Sequence, residues 1–272
     1  MPHLTRRDLL RTLGAAAVGT ATGAAAHGFL YERYHLETIE ETLQVARWPH
    51  ALAGFRIGFI SDIHRSATVS HEQVAHAVQE VMSRTPDLIV LGGDYVTNRD
   101  RRYMRLAAES LRGLAAPHGV IAVLGNHDDE REVPAALEAA GFDVLRDART
   151  KRIIRGERVD IAGLRYWTNR LPDVARVVAG ASPALILVAH TPKRLSEAQA
   201  LSVPLLLSGH THGGQIVLPV LGSTAAREFP VVAGSARRAD TTVFVSRGVG
   251  TVYLPIRLNC PPDVAVLTLQ PL

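Results

Sequence analysis

Five short apolar runs in this sequence end alike, each passing directly into a turn that carries Asp, His or Asn. Run 55–60 is followed by Ser61-Asp62-Ile63-His64, run 88–91 by Gly92-Gly93-Asp94, and run 120–124 by Gly125-Asn126-His127-Asp128. Run 185–189 leads into His190, and run 205–207 into Ser208-Gly209-His210-Thr211-His212-Gly213-Gly214. Segments of helical period follow the first three runs, at 69–83, 101–114 and 133–140. A βαβαβ rhythm of this kind implies parallel pairing with helices packed on the sheet. Ligands bind such sheets outside the carboxyl ends of the strands, so the polar residues are expected to converge on one edge.

Further strands are expected at 159–162, 242–246 and 264–269. From residue 216 onward strands alternate with Gly/Pro turns, which points to a second, more antiparallel sheet. The expected class is α/β, with two sheets packed face to face and helices outside. The chain's 272 residues, 47% hydrophobic and 21% charged, suffice for such a core and exclude a disordered or collagen-like chain. Cys260 is the single cysteine, which excludes an intramolecular disulfide framework and a cysteine-based zinc cluster. The net charge is +4, but Arg6, Arg7 and Arg11 against Asp8 supply +2 of it, leaving +2 for the rest. No basic stripe interleaved with aromatics remains, so nucleic acid is not an expected partner.

The amino-terminal stretch Thr5-Arg6-Arg7-Asp8-Leu9-Leu10-Arg11 precedes an Ala/Gly-rich run at 13–26 that ends in Ala24-Ala25-Ala26. Charged, then apolar, then small is the layout of a secretory signal, and the paired arginines resemble the twin-arginine export signal. On that reading 1–26 is a signal segment, 27–54 a linker entering the fold, and 55–272 the main domain. The linker is partly helix-compatible as far as Arg47 and is broken at Trp48-Pro49. The apolar run falls short of the roughly 20 residues a membrane span needs, so cleavage and retention as an anchor both stand. Either one places the domain in the periplasm, at the extracytoplasmic face of the membrane or in the cell wall.

Carboxylate, imidazole and amide oxygen without thiolate suit Mn, Fe, Zn or Mg. Asp62 and His64 stand at i and i+2, which on an extended segment places them on one side about 6.5 Å apart. That spread accommodates a metal pair about 3.5–4 Å apart. The candidate ligands Asp62, His64, Asp94, Asn126, His190, His210 and His212 are too many for one ion, so two divalent ions sharing a carboxylate is the economical expectation.

Asp62-x-His64, Gly93-Asp94, Gly125-Asn126-His127-Asp128, the lone His190 and Gly209-His210-x-His212 resemble, in order, the five blocks of the calcineurin-like metallophosphoesterase family. Ser246-Arg247-Gly248-Val249-Gly250, Leu254-Pro255-Ile256-Arg257 and Pro261-Pro262-Asp263 are similar to its bacterial exported, twin-arginine branch. The resemblance implies a four-layer αββα sandwich and a dinuclear centre. One ion would be held by Asp62, His64 and His212, the other by Asn126, His190 and His210, with Asp94 bridging. It implies hydrolysis of a phosphoester by a metal-bridging hydroxide. His127 would donate a proton to the leaving oxygen or stabilise it, and Asp128 would orient the His127 ring. An N-cap role for Asp128 is the alternative.

Arg65 reads either as a contact for substrate phosphate or as a loop residue, while Arg247 and Arg257 read as packing residues or carbonyl donors. A phosphodiesterase acting on a phospholipid or a wall polymer, with peripheral association to membrane or envelope, is the leading expectation. Export would involve the twin-arginine machinery. Phosphomonoesterase, nucleotidase, UDP-diacylglucosamine-type hydrolase and a non-catalytic metal-bound envelope module are the alternatives.

Overall fold

The computed structural model describes residues 5–223 and 227–272. Helix α1 (Arg6–Leu30) is followed by β1 (Glu37–Val45), β2 (Phe55–Ile60), α2 (His71–Met82), β3 (Leu88–Leu91), α3 (Arg101–Ser110), β4 (Val120–Ala122) and α4 (Glu132–Ala139). Then come β5 (Asp143–Val144), β6 (Ala148–Ile154), β7 (Glu157–Gly163), α5 (Leu171–Val178), β8 (Ala184–Val188), α6 (Leu195–Ala200) and β9 (Leu205–Ser208). Strands β10 (Gly234–Arg238), β11 (Thr241–Val245) and β12 (Asp263–Pro271) complete the chain.

Two mixed sheets of six strands form, ordered β1-β12-β2-β3-β4-β5 and β10-β11-β9-β8-β7-β6. Side-chain alternation along the strands explains why they stack. In β2, Phe55, Ile57 and Phe59 enter the core between the sheets, while Ile60 faces the helices. In β3, Leu88 and Val90 face the partner sheet, and Ile89 and Leu91 pack under α2 and α3. In β8, Ile186 and Val188 point inward, while Leu185 and Leu187 face the α5 and α6 side. Burial on both faces is why these strands read as continuous apolar runs in the sequence. Phe59 and Phe244 meet edge to face across the sheets, their ring centres 6.2 Å apart. The order of layers is therefore helix, sheet, sheet, helix.

Two expectations differ from the structure. The second sheet is not mainly antiparallel: β11, β9, β8 and β7 run parallel, and only the edge strands β10 and β6 are antiparallel. Strand β12 returns instead to the first sheet, between β1 and β2. Within 27–54, residues Glu37–Val45 form not a helix-compatible linker but strand β1, which runs parallel to β12 along its whole length. Its buried Leu43 and Val45 join the core between the sheets, and the exposed Glu40 suits an edge strand. Among the described residues, no helix is long and apolar enough to cross a membrane.

Candidate metal centre

The five expected turns leave the carboxyl ends of β2, β3, β4, β8 and β9, and their polar side chains meet between the two sheets' ends. Asp62, His64 and His212 form one group and Asp94, His190 and His210 another, the ligand atoms of each lying within 4.8 Å of one another. The Nε2 atoms of His64 and His212 are 3.1 Å apart, and His212 Nε2 is 3.4 Å from Asp62 Oδ1. His190 Nε2 is 3.2 Å from His210 Nδ1. Asp94 Oδ2 stands between the groups, 3.5 Å from His64 Nε2 and 3.2 Å from His190 Nε2.

The i, i+2 expectation of an extended segment is not met, although the ligand atoms of Asp62 and His64 lie within 4.8 Å of one another. Asp62 and His64 are not extended but have φ of 53° and 45°, and Asp94, His210 and His212 also lie in the left-handed region. Asp and His tolerate that region better than most residues. Strain at five ligand positions is the kind of departure that sites acquire and scaffolds avoid. The glycines allow close packing around them. A Cβ on Gly209 would collide with Ser61 Oγ and Asp62 Oδ2, and one on Gly125 with the Asp94 carboxylate.

Backbone partners fix the rings. His190 Nδ1 lies 2.7 Å from Gly92 O. A carbonyl only accepts, so Nδ1 carries a proton and donates to it, which fixes the ring with Nε2 towards Asp94. The Thr97 hydroxyl, 3.1 Å from His64 Nδ1, holds that ring in place, and since a hydroxyl both donates and accepts it leaves the tautomer open. Burial pushes His64 down to about 4 and His210 to about 3, and drives His212 well below the ordinary imidazole range. Burial also raises Asp62 to about 6. Burial alone would neutralise both His190 and Asp94, yet each holds the other charged: His190 rises to about 10 and Asp94 falls well below the usual carboxylate range. Three imidazoles thus keep free lone pairs, as metal ligation requires.

The residues fit a pair of divalent ions. Asn126 Oδ1 and His212 Nδ1 are buried and find no hydrogen-bond partner among the described residues. Buried acceptors are almost always satisfied. Asn126 stands between Gly125, packed on the Asp94 carboxylate, and His127, whose N–H donates to Asp94 Oδ1 at 2.8 Å. Its orphaned oxygen is therefore available to an ion beside Asp94. The donor set is oxygen and imidazole, with Cys260 tied by its thiol to His212 O at 3.1 Å.

His127 is buried at the rim, its ring 5.0 Å from that of His64. The orienting group is not Asp128, as expected, but Asn98, whose backbone N–H donates to His127 Nδ1 at 3.0 Å. An amide N–H can only donate, so the neutral ring carries its proton on Nε2. Burial lowers the His127 pKa, which favours that neutral form. Asp128 instead accepts the N–H groups of Asp94, Tyr95 and Gly125, each at 2.8 Å. The cap at the start of α4 falls to Asp129, which accepts from Arg131 and Glu132. Sequence reading missed Asn98 and Thr97; their only signal was a polar run closely following Asp94. Arg65 is tied to the backbone carbonyls of Ser66 and Val69. Arg257 is fully buried and donates to the carbonyls of Arg247, Gly248 and Gly250.

Paired imidazole–carboxylate groups sharing one aspartate, at the carboxyl edge of two stacked sheets, are the equipment of a two-metal hydrolase. The profile of the calcineurin-like phosphoesterase family matches residues 55–214. The chain belongs to that family and is a metal-dependent hydrolase of phosphoesters. It is 32% identical to the "Uncharacterized metallophosphoesterase YkuE" of Bacillus subtilis (strain 168), over 99% of each chain. It is 31% identical to the "Phosphodiesterase YaeI" of Escherichia coli (strain K12), over 92% of this chain and 95% of that one. Among solved structures, the Haemophilus influenzae NAD nucleotidase NadN aligns over 72% of this chain and 45% of that one. Its identity is 13% and its TM-score 0.49.

Proposed function

We propose that the protein is a dinuclear phosphodiesterase acting on a phospholipid-type or other envelope phosphodiester outside the cytoplasmic membrane. The observation that carries the reading is Asp94 standing between two imidazole groups, with the free Nε2–H of His127 beside them. Asp62, His64 and His212 would hold one ion, and His190, His210 and Asn126 the other, with Asp94 common to both. Ions so placed acidify water and offset charge on phosphoryl oxygens.

The chain's own groups do the rest. Gly92 O and Thr97 Oγ1 hold the His190 and His64 rings in position. Asn98 fixes His127 as a hydrogen-bond donor, suited to stabilising a leaving oxygen. A diester needs such help because an alkoxide leaves poorly unaided. The E. coli relative named a phosphodiesterase supports the diester preference. Export is supported by Arg6-Arg7 ahead of the Ala/Gly-rich run.

The deciding experiment is hydrolysis of bis(p-nitrophenyl) phosphate against p-nitrophenyl phosphate by purified protein of known metal content. Preference for the diester, lost in Asp94→Asn, is the expected result. Activity confined to the monoester would favour a phosphomonoesterase or nucleotidase instead. Cell fractionation tests the compartment, and protein found only in the cytosol would overturn export.

A further inference from the structure

Three surface segments without metal ligands are joined at the mouth of the site. Residues 215–222 are laced to the loop 252–259: Val217 N–H donates to Leu258 O at 2.8 Å, and Leu258 N–H to Gln215 O at 3.0 Å. The Gln215 side-chain amide donates to Val252 O and Leu254 O at 3.1 and 2.9 Å. The same loop grips the root of α1. Arg257 N–H donates to Gly28 O at 3.2 Å, and Gly28 lies so close to Arg257 and Ile256 that a Cβ would not fit.

This joined unit is apolar where it meets water. Val220 is 105% exposed, Tyr253 79% and Leu254 55%, and Leu221 and Leu30 are also exposed. Outside this unit and α1, the large exposed apolar side chains among the described residues are Tyr31, Tyr34, Leu106, Ile153, Trp167, Leu171 and Leu272. Val220 is a β-branched residue with φ of 69°, a strained conformation in which its side chain gains no packing. A cleft of about 480 Å³ leads from this lip to His210 and His212, lined along the way by Leu218, Phe229 and Leu254. Beside the tip, the Arg227 guanidinium donates to Leu221 O at 3.0 Å, setting a cation next to the apolar side chains.

Apolar tips flanked by a cation are how a surface seats on anionic lipid. We propose that the lip formed by 215–222, 252–259 and the root of α1 docks on an anionic bilayer. The cleft then receives the hydrocarbon end of a lipid phosphoester, with its phosphate at the His210–His212 end. Docking itself is independent of the phosphodiesterase reading; the entry of lipid into the cleft rests on it.

The test uses the full-length, metal-loaded protein with vesicles of phosphatidylglycerol and phosphatidylcholine. We expect the wild type to float with these vesicles, and Val220→Ser/Leu221→Ser to bind about tenfold more weakly. The double variant should hydrolyse bis(p-nitrophenyl) phosphate as the wild type does, which shows that it is folded and loaded. Tyr253→Trp should report docking as a blue shift of its emission on vesicle addition. Equal flotation of wild type and double variant, with no shift from Tyr253→Trp, would assign any binding to α1 alone and overturn the proposal. A dimer in sedimentation that the double variant dissolves would overturn it too, since the lip would then cover a second copy. A metal-loaded wild type that floats but does not hydrolyse the diester would sink the phosphodiesterase reading and leave docking standing.

Discussion

The carboxylate of Asp128 accepts the backbone N–H of Asp94 at 2.8 Å, so one buried carboxylate sets the pose of another. Tyr95 and Gly125 donate to the same group. Asp128→Ala should therefore orphan several buried N–H groups at once and destabilise the metal-free protein by about 3 kcal/mol or more. Urea unfolding of chelated protein measures this apart from any loss of metal. Had Asp128 served only to orient His127, activity would fall with stability unchanged.

In the proposed mechanism His127 would act through the proton that Asn98 leaves on its Nε2. His127→Ala should lower kcat about 10²- to 10⁴-fold on a diester with an alkyl leaving group, and much less on p-nitrophenyl esters, whose leaving group needs little help. Metal content should stay at the wild-type value. His127→Gln, which keeps an N–H donor, should retain more activity than alanine.

Gly209 leaves no space for a methyl group beside Ser61 and Asp62. Gly209→Ala should displace the Asp62 carboxylate and cost about 100-fold in kcat, with metal lost first from the group containing His64 and His212. Gly19→Ala on α1, where nothing lies within 4 Å, is the matched control and should change nothing.

Arg257 spans carbonyls of Arg247, Gly248 and Gly250 at 2.6–2.9 Å, in a loop that also holds Gly28. Arg257→Lys has one donor head where a fork is needed, and Arg257→Met has none. Thermal unfolding should show both destabilised, methionine by about 3 kcal/mol or more.

Chelation should lower Tm by about 5 °C or more, with recovery on adding Mn²⁺, because ions that bind only the folded state stabilise it by mass action. Elemental analysis should show about two ions per chain in the wild type and a reduced content in Asn126→Ala and Asp94→Asn.

Much of this was legible in the sequence because strands buried on both faces are unbroken apolar runs, and their turns declare their chemistry in Asp, His and Asn. The pattern of Ile57, Val90, Ile186 and Leu207 needs no partner to be recognised. Strand β1 was not legible, because an edge strand with alternating Glu, Thr and Leu owes its form to β12, more than 200 residues on. The course of β12 was hidden for the same reason. At the site, residue types identified the ligand groups, but roles set by backbone direction were out of reach. Asn98 acts through its main-chain N–H, which any residue but proline could supply, and Asp128 through three amides that only the folded loops bring together.

Asp62, His64 and Asp94 come from the first sheet, and His190, His210 and His212 from the second. The full ligand set of the proposed ion pair would therefore need both sheets. During synthesis the coordination sphere stays open until His212 has emerged from the ribosome and the second sheet has closed on the first. Metallation would thus be a late event, and whichever cation prevails where folding finishes would be the one the enzyme acquires.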